Sequence, residues 1–232
     1  MSHDSQYWDK FYLTDKLGVE MSTPSSFAVH TVNYMARFIL NPYIRPYDLK
    51  ILDVGCGNGR DTFFFAENGF NVYAIDYSYN AVGLINDHIL KNQTHNIKAF
   101  KQDFTQINNH TLQNTKFDVV YSRFTLHSVP HEGELRFINW AYRHMTRNGR
   151  LFIEVRSTKD KMCGVGDKVI DEENAWSNTH YRRFHDLDTL LDDLQNHGFQ
   201  IINYTENNGV SKVGDDDPTV IRVIAKLNHQ FK

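Results

Sequence analysis

The feature that most constrains the fold is a short apolar strand that runs into a turn of alternating glycines. Residues 50–54 (KILDV) are followed directly by 55–59 (GCGNG), and aromatic and alanine residues then recur at helical spacing over 60–68. A second apolar run, 71–76 (NVYAID), predicts the next strand. A strand, a glycine turn, a helix and another strand in this order are typical of a β-α-β unit, because the chain must cross back over the sheet between parallel strands.

The same alternation continues along the chain and predicts an α/β fold. Further strands are predicted at 97–100, 116–121, 151–155, 199–204 and 219–227, and helices at 78–90, 132–145 and 186–196. We therefore expect a Rossmann-like, doubly wound sheet of seven mostly parallel strands with helices on both faces. A turn at 214–218 replaces the helix between the last two strands, so the last strand should be antiparallel.

The residues ahead of the first strand are predicted to form a helical cap. A capped amphipathic helix is expected at 25–40, and Pro42 and Pro46 mark a linker after it. We therefore divide the chain into an N-terminal helical cap, 1–48, and a core, 49–228. Both belong to a single domain over 1–232.

Composition and charge argue against several classes of partner. The chain has 232 residues and a formal charge of −3, so no overall positive field attracts nucleic acid. No uninterrupted apolar run is long enough to cross a membrane, and residues 1–10 lack the basic flank and apolar centre of a signal peptide. Cys56 and Cys163 are too few for a disulfide framework. We expect a cytoplasmic chain that binds neither nucleic acid nor membranes, and a homodimer is left open.

Three aspartates follow predicted strands at the edge where the carboxyl ends of the strands meet. Asp53 lies in the first strand just ahead of the glycines, Asp76 ends the second and Asp103 follows the third. In an open parallel sheet this edge forms the ligand crevice. Asp76 is placed to accept hydrogen bonds from ribose hydroxyls, and a carboxylate at the N-terminus of the next helix is the alternative. Asp103 can accept a hydrogen bond from the amine of an adenine whose ring Phe104 covers. The alternative is that Asp103 is a solvated loop residue and that Phe104 belongs to the core.

The charge of Asp53 selects between two classes of ligand. A glycine turn at a helix N-terminus suits a diphosphate, as in dinucleotide-binding proteins, and an ordinary tight turn is the structural alternative. The Asp53 carboxylate would repel a diphosphate and attract an ammonium group, so it favours a ligand with a cationic end. This charge and the GxGxG spacing, in place of GxGxxG, weigh against a nucleotide-dependent oxidoreductase.

Four segments together resemble motifs of class I S-adenosylmethionine-dependent methyltransferases. They are ILDVGCGNGR, VYAIDYS, KQDF and FDVVYSRFTLHSV, and the resemblance covers about 49–227. It implies S-adenosylmethionine as cofactor, with the methionine part at Asp53 and the glycine turn, the ribose at Asp76 and the adenine flanked by Asp103 and Phe104. The segment YWDKFY (7–12) is similar to an opening helix that covers the cofactor in small-molecule members. The expected cofactor-binding residues are Asp53, Gly55, Cys56, Gly57, Asp76, Tyr77, Asp103, Phe104, Ser122 and Tyr12.

Candidate catalytic residues follow the fourth strand and lie in the fifth. Methyl transfer to a hydroxyl needs a group that takes the proton, and His127 is the first candidate, with a histidine bonded to loop backbone as the alternative. Alternation in the fifth strand places Phe152, Glu154 and Arg156 on one face. A buried Glu and Arg must either pair with each other or reach the site, so Glu154 is the second candidate.

Arginines collect on the acceptor side of the predicted crevice. The segment HYRRF (180–184) precedes the last helix and can fold over the crevice, unless it is a solvated basic loop. Guanidinium groups suit phosphate and carboxylate, so we predict O-methylation of a small anionic acceptor such as a sugar phosphate or a nucleotide-linked sugar. This segment and YSRFTLHSV are similar to methyltransferases of bacterial surface-polysaccharide biosynthesis. The predicted substrate-binding residues are Arg123, Arg156, His180, Tyr181, Arg182 and Arg183.

Two other functions stay open at this stage: a noncatalytic cofactor-binding or regulatory domain, and an N-methyltransferase that acts on a small metabolite. The presence of His127, Glu154 and the arginines argues against the first of these. A metal site of His127, His131 and Glu134 is disfavoured, because Pro130 interrupts the helix that would align them and no third ligand is evident. Cys56 is expected to be a small buried filler, not a nucleophile.

Overall fold

A computed structural model describes residues 5–14, 23–212 and 216–230. The first four residues of the predicted cap, its segment 15–22 and the first part of the predicted turn at 214–218 lie outside these ranges. Ten strands are present in the described ranges: β1 Lys50–Val54, β2 Asn71–Asp76, β3 Ile97–Lys101, β4 Phe117–Arg123, β5 Met145–Arg156, β6 Asp167–Lys168, β7 Ala175–Ser177, β8 Tyr181–Arg183, β9 Phe199–Asn207 and β10 Val220–Leu227.

Seven of the strands form one sheet in the order β3-β2-β1-β4-β5-β10-β9. Strands β1 to β5 are parallel to one another, whereas β10 is antiparallel to both β5 and β9. The predicted fold class is therefore confirmed. A second, antiparallel sheet of β6, β7 and β8 was not predicted, because its strands are only two or three residues long and lack an alternating apolar pattern.

The helices are α1 Ser5–Thr14, α2 Ser26–Phe38, α3 Arg60–Glu67, α4 Tyr79–Asn92, α5 His110–Gln113, α6 His131–His144 and α7 Leu187–Asn196. Side chains cap several of them as the sequence predicts. The Ser25 hydroxyl accepts from the Ala28 N–H at 3.0 Å, and the Ser78 hydroxyl accepts from the Ala81 N–H at 3.2 Å. None of the helices in the described residues is long and apolar enough to cross a bilayer.

Apolar side chains cover both faces of the large sheet. In β5, Phe152 packs with one cluster of buried residues, whereas Ile153 and Val155 pack with the cluster on the opposite face. This confirms the alternation that the sequence predicts for β5. Phe27 and Met35 of α2 are buried in the same cluster as Phe152, so α2 is part of the helical layer and not an outlying cap. Its apolar residues recur at helical spacing, and burying them against the sheet stabilises the helix there.

The glycine turn after β1 has a backbone that other residues adopt poorly. Gly55, Gly57 and Gly59 have φ angles of +68°, +55° and +88°. A Cβ on Gly59 would lie 2.7 Å from the Phe63 ring and 2.8 Å from the Ile85 side chain. Both packing and backbone conformation therefore require glycine at this position, where the chain enters α3.

Replacing Gly59 with Ala should lower the free energy of unfolding by about 2 kcal/mol, because the new methyl group meets packed side chains at a positive φ. Urea denaturation followed by circular dichroism measures the change. The matched control is Gly83→Ala in α4, where a Cβ would meet nothing within 4 Å. That control should gain up to about 1 kcal/mol from helix propensity, and a Gly59 variant as stable as the wild type would contradict the packing argument.

Candidate active site

The candidate site lies at the carboxyl ends of β1, β2 and β4, where a cavity of about 260 Å³ opens beside the glycine turn. The aromatic face of α1 contributes one wall, and the ends of the strands contribute the others. This is the edge at which ligands bind in open α/β sheets. The lining residues are Trp8, Phe11, Tyr12, Asp53, Gly55, Cys56, Gly57, Asn58, Arg60, Asp61, Tyr121, Arg123 and Phe124.

Asp53 is buried in this wall with one hydroxyl donor. Its side chain accepts a hydrogen bond from the Thr62 hydroxyl at 2.6 Å, and the residue is 3% exposed. Burial, together with the charges of Asp61 and Asp76, raises the pKa of Asp53 to about 7, against the opposing effects of the Thr62 hydrogen bond and of Arg123. A cation placed beside Asp53 would favour the carboxylate form. The buried carboxyl is therefore receptive to positive charge.

Asp76 joins the end of β2 to the glycine turn. One carboxylate oxygen accepts from the Gly57 N–H at 2.9 Å, and the other accepts from the Ser78 N–H at 2.8 Å. Each oxygen has a further lone pair, so hydroxyl donors can still bind. Burial raises the pKa of Asp76, against the effect of these N–H donors. Next to it, Tyr77 is 36% exposed, and the Lys101 ammonium lies 5.9 Å from its ring centre.

Asp103 and Phe104 begin a short 3-10 turn after β3. One Asp103 oxygen accepts from the Thr105 N–H at 2.8 Å and from the Thr105 hydroxyl at 2.7 Å. The Phe104 ring is buried in the core, edge-to-face with Phe137 at 5.6 Å. These contacts match the structural alternative, a loop aspartate and a core ring, and an adenine-binding role for the pair stays a prediction.

The other expected cofactor residues differ in exposure. The Cys56 thiol is buried, and burial raises its pKa well above the usual value, so it is not a reactive thiolate. Ser122 is fully buried, and its hydroxyl has no hydrogen-bond partner in the part of the chain that is described. Tyr12 places its hydroxyl against Gly57, where a Cβ would collide with it. Tyr12 and the turn therefore pack directly together.

The carboxylate of Asp61, which the sequence did not indicate as a site residue, connects the N-terminus of α2 to the site through hydrogen bonds. Asp61 accepts from the Ser25 N–H at 2.8 Å, from the Ser25 hydroxyl at 2.7 Å and from the Tyr121 hydroxyl at 2.8 Å. An acidic residue in the first turn of a helix is common, so its position carried no distinct signal. Its partners lie 36 and 60 residues away in sequence, and only the folded structure brings them together.

Helix α1 contacts two separate segments beside the cavity. The Asp9 carboxylate accepts from the Ser78 hydroxyl at 2.7 Å, and the Asp9 carbonyl accepts from the Asn80 side chain at 2.8 Å. The Tyr7 ring stacks on His180 with 4.5 Å between ring centres. The helix therefore connects the turn after β2 with the segment before β8.

His127 lies on the acceptor side with a free ring nitrogen. It is 5% exposed, and its Nδ1 has no hydrogen-bond partner in the residues that the structure describes. Burial, with the charges of Arg182 and Arg156, lowers the pKa of His127 well below the usual value. His127 is thus a neutral imidazole beside two guanidinium groups.

Glu154 and Arg156 do not pair with each other. The buried Glu154 carboxylate lies 2.9 Å from Arg123 Nε and 2.6 Å from Arg222 Nε, and it accepts from the Ser211 hydroxyl at 2.7 Å. Arg156 pairs with Asp160 at 3.1 Å and also with Asp216. Both Glu154 oxygens are therefore engaged in an ion-pair network, which leaves no free oxygen for proton transfer.

The strand β8 divides the predicted substrate-binding residues between two faces. Arg182 donates to His180 Nε2 at 2.9 Å, and burial with the charge of Arg156 lowers the pKa of Arg182. Arg183 turns to the opposite side, where it pairs with Glu134. Tyr181 is half-buried, and its hydroxyl has no partner among the described residues. The structure therefore brings Arg156, His180 and Arg182 near His127 but not Arg183, and a substrate-binding role for these residues stays a prediction.

Two of the three residues considered for a metal, His131 and Glu134, have other partners. His131 Nε2 lies 2.6 Å from Asp193, and Glu134 binds Arg183 and also His185 at 2.8 Å. In the described ranges, no three His, Cys, Asp or Glu side chains are grouped so that they could hold a metal ion.

Replacing Asp53 with Asn should stabilise the protein more at pH 8 than at pH 5. Because the pKa of Asp53 is raised to about 7 from 3.8, its contribution to stability is present below about pH 4 and is lost as the pH rises through 7. Asn does not ionise, so the free energy of unfolding of the variant, relative to that of the wild type, should increase by about 2 kcal/mol between pH 5 and pH 8. Urea titrations at both pH values measure it. Asp87→Asn, at an exposed position of α4, is the control and should show no such growth.

Comparison with known proteins identifies the family. A family model described as methyltransferase domain matches residues 28–204. The chain is 29% identical over 153 residues to phosphoethanolamine N-methyltransferase of Triticum aestivum, covering 65% of this chain and 28% of that protein. It is 30% identical over 141 residues to ubiquinone biosynthesis O-methyltransferase of Rickettsia akari, covering 59% of this chain and 53% of that protein.

The matched region thus spans between about a quarter and a half of these two relatives, at 28% and 53% of their lengths. In fold, the chain is similar to an S-adenosylmethionine-dependent methyltransferase from Clostridium acetobutylicum, with a TM-score of 0.65, 14% identity and coverage of 95% and 98% of the two chains. Because the family model covers more than half of the chain, this protein belongs to the methyltransferase domain family.

Proposed function

We propose that this protein transfers a methyl group from S-adenosylmethionine to an oxygen of a small anionic acceptor. The observation that carries the proposal is the placement of buried carboxylates and of an arginine without an ion pair in two half-sites that α1 contacts. The half beside the glycine turn holds the buried carboxylates Asp53 and Asp61 together with Arg123. The half beside His180 holds Arg182, whose guanidinium forms no ion pair with a carboxylate of the described residues. A positively charged donor and a negatively charged acceptor complement these two halves.

The cofactor half fits S-adenosylmethionine in charge and shape. When bound, this cofactor supplies an electrophilic methyl group on a positively charged sulfur. Asp53 favours positive charge in the cavity, and Asp76 keeps lone pairs for hydroxyl donors. The side chains of Trp8, Phe11 and Tyr12 line the cavity from α1 and exclude water from it.

The acceptor half fits an anion because, among the described residues, Arg182 has no carboxylate within ion-pair distance. Its guanidinium donates to the neutral ring of His180, and the charges of Asp160 and Asp216 act on it from farther away. A half-buried cation of this kind is stabilised by an anionic ligand, and a guanidinium binds phosphate or carboxylate with two parallel hydrogen bonds. A sugar phosphate or a nucleotide-linked sugar is the acceptor class that we propose.

His127 is assigned the role of general base for a hydroxyl acceptor. Its unpartnered Nδ1 can take the proton, and the neighbouring Arg156 and Arg182 hold the free imidazole neutral. An anion bound to these arginines would offset their charge and raise the basicity of His127. The acceptor itself thereby increases the proton affinity of the base.

Ligand binding separates this proposal from an oxidoreductase or a noncatalytic domain. S-adenosylmethionine should raise the melting temperature of the protein, whereas NAD should not, because Asp53 repels a diphosphate. Mass spectrometry of phosphorylated sugars incubated with the enzyme and labelled cofactor then tests for turnover. Stabilisation without transfer to any phosphorylated sugar would contradict the acceptor class.

Replacing Arg182 with Gln should raise KM for an anionic acceptor at least tenfold and leave KM for a neutral analogue unchanged, because only the anion uses the guanidinium. Steady-state kinetics with a phosphorylated and an unphosphorylated sugar measure the difference. Arg136→Gln is the matched control, because Arg136 pairs with Glu132 on the exposed side of α6. Equal losses for both acceptors would count against an anion-binding role of Arg182.

A further inference from the structure

Arg123 lies on a different side of the site from the one the sequence analysis assigns to it. Together with Asp53, Asp61 and the glycine turn, it lines the cavity of about 260 Å³ in the cofactor half. The backbone after it turns sharply, since Phe124 has a φ of +53°. The centre of the Phe124 ring lies 4.4 Å from the Arg123 guanidinium and 5.7 Å from the Arg156 guanidinium. Both arginines therefore pack against this ring.

In the ion-pair network around Arg123, two guanidinium groups share one carboxylate. Glu154 is the single carboxylate shared by Arg123 and Arg222, at 2.9 Å and 2.6 Å, and its side chain is fully buried. The third contact of Glu154 is the neutral Ser211 hydroxyl. Arg123 therefore shares its ion-pair partner with a second guanidinium, and its side chain is only 14% exposed. A guanidinium that is nearly buried and shares its carboxylate is stabilised further when an anion binds to it.

The position of Arg123 is fixed before any ligand binds. Glu154 binds its Nε, the Phe124 ring packs against its guanidinium, and a terminal nitrogen lies 3.3 Å from the Ser211 hydroxyl. The Phe124 N–H donates to the Glu154 carbonyl at 2.9 Å, which holds the turn against β5. A guanidinium group whose position is already fixed loses little conformational entropy when it binds a carboxylate.

We propose that Arg123 binds the α-carboxylate at the amino-acid end of the methyl donor, with Glu154 and Phe124 as positioning residues. This inference rests on the proposed function, because it assumes the zwitterionic end of S-adenosylmethionine in this cavity. Asp53 lines the same cavity and attracts the α-ammonium group. The cavity thus complements both charges of an amino acid, and Glu154 acts through Arg123 and not as an acid or base.

Decarboxylated S-adenosylmethionine, which lacks only the α-carboxylate, tests the assignment. Isothermal titration calorimetry should show that wild-type protein binds S-adenosylmethionine at least tenfold more tightly than the decarboxylated compound. Arg123→Gln should weaken binding of S-adenosylmethionine about 10- to 100-fold and change binding of the decarboxylated compound less than about threefold. Arg136→Gln, on the exposed side of α6, is the control and should keep the full preference of the wild type.

Glu154→Gln tests the positioning role, because it keeps the size of the side chain and removes its charge. We expect the preference for the carboxylate-bearing ligand to fall several-fold, a readout that a loss of stability alone would not change. Circular dichroism checks that the variant is folded. If it does not fold, Arg123→Lys provides the second test, since a point charge should retain only part of the preference.

The outcomes separate this inference from the proposed function. A wild-type protein that binds both compounds equally would overturn the assignment of Arg123 and leave the methyltransferase proposal standing. A wild-type protein that binds neither compound would overturn both. Loss of the preference in Arg60→Gln, with Arg123→Gln unchanged, would also overturn the assignment, because Arg60 lines the same cavity.

Discussion

Burial of carboxylates at one edge of the sheet is the constraint on which the rest of the site depends. Asp53 and Asp76 are held by a hydroxyl and by backbone N–H groups, which satisfy their oxygens without neutralising their charge. Like charges kept close together in a low dielectric favour protonation or an incoming cation. The glycine turn supplies N–H donors at this edge, and the same turn leaves the space in which a ligand would meet those charges.

The second half of the site is built from a different part of the chain. Arg156 comes from β5, and His180 and Arg182 come from the segment inserted after it, which includes the small sheet. The guanidinium groups of Arg156 and Arg123 both pack against the ring of Phe124. Helix α1 contacts both halves through Asp9 and Tyr7. The composition of each half thus follows from the order of the elements along the chain.

The large sheet could be predicted from sequence because its signals are local. The apolar run and glycines at 50–59 mark the first strand and turn, and the position of Asp76 at the end of the next strand follows from the same β-α-β unit. The ion pairs could not be predicted in this way. Glu154 finds Arg222 across 68 residues, and Asp61 finds Tyr121 across 60. Such partners depend on which strands become neighbours, and periodicity within one strand carries no information on that.

In the small sheet of β6, β7 and β8, the ion pair of Arg183 on one face determines that Arg182 lies on the other face. In β8, Arg182 stands opposite Trp176 and Arg183 stands opposite Ala175 of β7. A slip of one residue would turn Arg182 inward and Arg183 outward, because neighbouring side chains alternate between faces. It would also take Arg183 away from Glu134, whose side chain is 1% exposed, and a buried carboxylate without its partner costs about 3–5 kcal/mol. The buried Arg183–Glu134 pair therefore fixes the pairing register of β7 and β8. A change of one residue in that register would exchange the faces on which the guanidinium groups of Arg182 and Arg183 lie.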